Sequence, residues 1–159
     1  MNSISLKEAY ESASTPKSLG KFPTLEALED KIPSSESVLH LIKGSHFEKN
    51  PSGSDKSISY NVIWIVTDKG VHTCYKSVWT ILAKTTFQFV PYHQINGIEI
   101  KTVRFPLLER LIAKQSPEFK NELCEIKLAF GLHVSSISYG ELPKAEVICK
   151  TVSSYISKN

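Results

Sequence analysis

The sequence predicts a mostly β protein with added α-helices: an antiparallel barrel of about seven strands, capped by a C-terminal helix. Three observations carry this reading. Ile58, Tyr60, Val62, Trp64 and Val66 would share one face of an extended segment, which is the alternation of a half-buried strand. Thr67-Asp68-Lys69-Gly70 then supplies a tight turn, and strand-forming residues resume on both sides of further Pro and Gly breaks through Lys101. At the far end Leu142, Ala145, Cys149, Val152 and Ile156 recur at helical spacing after Pro143, an apolar stripe suited to covering an open barrel.

The elements follow in order. Residues 1–23 are rich in Ser, Lys and Pro and read as a partly ordered arm, with a loose helix through Ile4, Leu6 and Tyr10 ending before Pro16. Residues 24–159 form the domain. Thr24 is an N-cap, Glu26 suits the positive end of a helix, and Leu25, Leu28 and Ile32 form a stripe that Pro33 stops. Val38–Phe47 is the first strand, and Asn50–Asp55 is a loop. Ile58–Thr67 and Val71–Lys76 form a hairpin, Lys84–Val90 and Ile95–Val103 are further strands, and Leu123–Phe130 and Leu132–Tyr139 pair around Gly131. Between them Pro106 opens a short inserted helix carrying Phe105, Leu107, Leu108, Leu111 and Ile112.

Composition narrows the function classes. A chain of 159 residues can bury a core without disulfide or metal staples. Nineteen basic against 16 acidic residues give a net charge of +3, too mild and too dispersed for a nucleic-acid stripe. Cys74, Cys124 and Cys149 sit in apolar contexts without a CxxC pair, so they read as buried free thiols of a reducing compartment, the cytoplasm. No apolar run reaches the length of a membrane span.

Val66-Thr67-Asp68-Lys69-Gly70-Val71, followed by Val90-Pro91-Tyr92-His93-Gln94-Ile95 and Ile98-Glu99-Ile100, resembles the bacterial pleckstrin-homology-like (YokE-like) domains. Ser35-Glu36-Ser37-Val38-Leu39 is similar to the first strand of that family. Gly70 stands where the family has arginine, and the insertion Phe105–Asn121 is longer than its usual turn. The resemblance implies a capped barrel used for binding or assembly, without catalysis and without a cofactor.

Chemistry is sparse. His72 and Cys74 would share a strand face, but two donors fall short of the four a structural zinc takes, so strand packing is expected there and no metal site. Cys124 and His133 could meet across the last hairpin as a nucleophile pair, an arrangement hairpins often produce without catalysis. Two candidate surfaces remain. Lys43 closes the first strand and Lys49 and Lys56 lie in the following loop, where the resemblance implies an anionic ligand or lipid headgroup; Glu48 and Asp55 dilute them. The inserted helix, through Phe105, Leu108, Leu111 and Ile112, would otherwise serve a protein partner or a homo-oligomer. The reading expected overall is a non-catalytic protein-interaction or self-assembly module, with anionic-ligand binding as the alternative.

Overall fold

The computed structural model describes residues 3–15, 20–49, 57–78, 84–102, 124–139 and 141–158. Two short helices come first, α1 (Leu6–Ser12) and α2 (Leu25–Glu29). Seven strands follow: β1 (Val38–Lys49), β2 (Ser57–Thr67), β3 (Gly70–Ser77), β4 (Thr85–Pro91), β5 (Ile95–Thr102), β6 (Cys124–Phe130) and β7 (His133–Tyr139). Helix α3 (Leu142–Ile156) ends the chain. The inserted helix expected around Phe105–Ser116 falls outside the described residues.

All seven strands join one antiparallel sheet in the order β4-β3-β2-β1-β7-β6-β5. Its two outermost strands, β4 and β5, are consecutive in the chain and linked only by the 3-10 turn Tyr92–Gln94. A sheet whose ends are joined so closely must curl on itself, which gives a barrel left open between β4 and β5, consistent with a pleckstrin-homology-like architecture. At the seam between the two halves, β7 meets β1 at Ser45 and Ser138 among the described residues. Gly44 makes this approach feasible, since a Cβ there would lie against the Ser138 carbonyl oxygen and 2.6 Å from Ile137 Cγ1.

The interior core collects Ile42, Val62, Trp64, Val66, Val71 and Val90 from one half of the barrel, and Ile126, Leu128 and Ile137 from the other. Helix α3 closes it with Ala145, Ile148 and Val152, all fully buried. Tyr155 of α3 stacks on Tyr92 at 4.7 Å, and the Tyr92 hydroxyl donates to the Thr67 carbonyl at 2.6 Å.

The opposite face of β1–β3 is also covered. Leu41, Ile63, Ile65 and Cys74 form a second core with Ala9 and Ala13 of the N-terminal segment and Leu28 of α2. The arm is therefore packed on the domain over residues 3–15. Ser5 caps α1 by accepting from the Glu8 amide at 3.2 Å while its own amide donates to Glu8 Oε2 at 3.0 Å. Ile4 forms a β-bridge with Val38, and Ser14 donates to Glu141 at 2.6 Å. Thr24 caps α2 as expected, accepting from the Ala27 amide.

Candidate interaction surface

The residues that carry the family resemblance are structural. Thr67 Oγ1 accepts from the amides of Lys69 and Gly70 at 3.2 and 3.3 Å and donates to Glu36 Oε2 at 2.7 Å. The same carboxylate oxygen accepts from His72 Nε2 at 2.7 Å, and Asp68 Oδ1 accepts from the Ser37 amide at 2.8 Å. The turn thus fastens the β2–β3 hairpin to the segment that enters β1.

Lys43 does not close β1, which continues to Lys49. Its side chain points to the covered face and is only 5% exposed. Its ammonium donates to the Tyr10 carbonyl at 2.8 Å and to Thr15 Oγ1 at 3.3 Å, and lies 3.7 Å from the Tyr10 ring centre. Burial pulls the ammonium below its ordinary pKa. Lys43 thus holds down the arm. The side chain of Lys49, the whole of Lys56, and Phe105, Leu108, Leu111 and Ile112 lie outside the described residues.

Cys124 and His133 do not meet. Cys124 pairs with Tyr139 and His133 with Phe130, so they occupy opposite ends of the hairpin, about 20 Å apart at the rise of a strand. His72 and Cys74 do share the outer face, as strand periodicity predicts. Burial pushes the Cys74 thiol up to about 12 and those of Cys124 and Cys149 to about 11, which leaves little thiolate at neutral pH. Among the described residues no three His, Cys, Asp or Glu side chains come together as a metal-binding group. No described helix is long and apolar enough to cross a membrane.

The barrel mouth away from α3 holds a cavity of about 270 Å³ lined by His46, Tyr60, Tyr75, Gln88, Phe130 and His133 among others. Tyr75 hydrogen-bonds to Ser135, and Ser136 Oγ lies 2.8 Å from His46 Nδ1, so the two halves of the barrel are tied across this mouth. At the helix-capped end His40 reaches Thr151 at 3.0 Å. Thr151 donates its single proton to the Val147 carbonyl, so its oxygen accepts and His40 Nε2 carries the donated hydrogen.

Burial, and then the Lys144 charge, hold His40 below the ordinary imidazole value of 6.5. The folded state therefore binds this proton less well than the unfolded chain. The resulting stability is complete above 6.5 and declines as the pH falls below it. Urea midpoints measured on either side of that value are expected to drop on the acid side in the wild type, and to drop less in His40→Gln.

The surface that stands out is the edge strand β4. Among the described residues it pairs with β3 alone, so its outward backbone groups have no strand partner. Its sequence, Thr85-Thr86-Phe87-Gln88-Phe89-Val90-Pro91, contains no charged residue. Edge strands are commonly protected by charge, and the opposite edge, β5, carries Glu99 and Lys101. Phe87 and Phe89 project from the outer face, with Phe89 43% exposed and stacked on His72 at 4.5 Å. Beside them lies a mainly apolar cleft of about 110 Å³ whose lining includes Leu28, Ile32, Ile65, Cys74 and the two phenylalanines, with Lys31 and His72 among its polar residues.

Strand periodicity and the two Phe residues were available in the sequence, but the edge position was not, because it depends on which strands pair. No protein-family model, curated protein or solved structure matches the chain.

Proposed function

We propose that the protein is a non-catalytic, pleckstrin-homology-like interaction module that docks an extended polypeptide segment along β4. The observation that carries this reading is the uncharged β4 edge beside an apolar cleft. An added strand would take its main-chain hydrogen bonds from the edge, and alternate side chains would settle beside Phe87 and Phe89. Three thiols kept protonated by burial suit a reducing compartment, the cytoplasm. The burial of Lys43 removes one of the three lysines from the anionic-ligand alternative.

Phe89→Lys tests the docking reading, because it places a charge on the edge at an exposed position where the fold tolerates it. The expected result is at least a tenfold loss of affinity for any bound polypeptide, equivalent to about 1.4 kcal/mol, with an unchanged far-UV circular-dichroism spectrum. Binding that is indifferent to Phe89→Lys would refute docking on β4.

A further inference from the structure

We infer that the segment docked on β4 is β4 of a second copy of this chain, in an antiparallel pair with Gln88 on the two-fold axis. The inference rests on the edge-docking reading and names its occupant. A two-fold interface must be self-complementary, with each residue facing the residue its counterpart faces. Thr86-Phe87-Gln88-Phe89-Val90 reads nearly the same in both directions: a β-branched residue, Phe, Gln, Phe and a β-branched residue.

Centred on Gln88, the antiparallel register sets Phe87 opposite Phe89 of the second copy and Phe89 opposite its Phe87. Both rings lie on the outer face, so the axis generates two aromatic cross-strand pairs there. Thr86 then faces Val90, and the two Gln88 amides face each other. Electrostatics permit the same register. The strand carries no charge, the flanking Lys84 falls opposite the second copy's Tyr92 and away from its Lys84, and Lys31 lies over the Phe87 ring at 5.7 Å on the outer face. Pro91, which cannot donate to a ladder, falls at the end of the pair. The exposed Gln88 and Phe89 side chains border the edge without being needed for the barrel's own core.

Like charges directly opposed across an antiparallel pair are destabilising, so the residue on the axis is a specific probe. Light scattering of the full chain is expected to give twice the 17.8 kDa chain mass, at low and high salt alike. Gln88→Lys and Gln88→Glu should each shift the protein to a monomer that keeps the wild-type far-UV circular dichroism, its melting temperature lowered only by loss of the dimer. Mixing the two variants should restore a dimer. Gln88→Cys supplies an independent check, since directly opposed residues of an antiparallel pair lie within disulfide reach. Oxidation should convert that variant into a covalent dimer.

A wild type that is monomeric at every concentration would overturn self-pairing. So would a dimer unaffected by either charged variant. If a monomer still binds a foreign polypeptide in a Phe89-dependent way, the docking reading stands while its occupant is refuted. A monomer whose binding ignores Phe89→Lys overturns both.

Discussion

Gly44→Val is expected to lower stability by at least about 3 kcal/mol, the upper range for forcing extra atoms into a close-packed site. The reason is the seam. At this point β7 passes β1, pairing Ser45 with Ser138 among the described residues, and the backbone approach leaves no room for a side chain. A Cβ at residue 44 meets the Ser138 carbonyl oxygen and both Ile137 Cγ1 and Cδ1, the latter at 2.9 Å. Ile137 is fully buried in the interior core, so it has nowhere to retreat. Relief requires β7 to move away from β1, which would also break the Tyr75–Ser135 and His46–Ser136 links across the mouth. Urea unfolding monitored by Trp fluorescence reports the change. A Gly44→Val midpoint equal to that of the wild type would mean that β7 does not pass over β1 at this position.

Leu28→Ala should cost about 3 kcal/mol, as expected for truncating a fully buried leucine whose surroundings cannot collapse onto it. Leu28 belongs to a helix of only five residues, yet it is 1% exposed. It lines the same cleft as Ile65 and Cys74 and so covers the outer face of β2 and β3. The variant carries a local signature as well as a global one. In the wild type Cys74 is buried with its thiol held protonated, so alkylation is slow. Loosening α2 should speed alkylation of Cys74 while leaving Cys124, in the interior core, as slow as before. Equal acceleration of both thiols would show that the variant unfolds globally and that α2 is not a separable cover.

These two effects come from the parts of the fold that differ most in how visibly they are written in the chain. The hairpin turn at Thr67–Gly70, the interior face of β2 and the apolar stripe of α3 are local patterns, and the structure reproduces them. The second core is written too, but in a form that alternation alone does not reveal. Val62-Ile63-Trp64-Ile65-Val66 is a continuous apolar run, and all five residues are buried. Such a run marks a strand covered on both faces. Ile63 and Ile65 therefore demanded a cover, which the N-terminal segment supplies. Ser5-Leu6-Lys7-Glu8 was the local signal for it, a capping box that starts α1.

The burial of Lys43 beneath the N-terminal segment had no such signal. Lysine is seldom fully buried, and the placement of Tyr10 and Thr15 around its ammonium explains it. The status of β4 as an edge lay equally out of reach, because strand order is a property of long-range pairing. Once that order is known, the near-palindrome around Gln88 and the missing charges acquire a meaning that they lack in the linear sequence.

Amide hydrogen exchange across Thr85–Val90 tests the use of this edge most directly, comparing the wild type with Gln88→Lys at the same high concentration. Pairing of β4 with a second copy predicts slow exchange throughout the strand in the wild type and fast exchange of its outward amides in Gln88→Lys, with β2 unchanged. Identical exchange of β4 in the two proteins would contradict it.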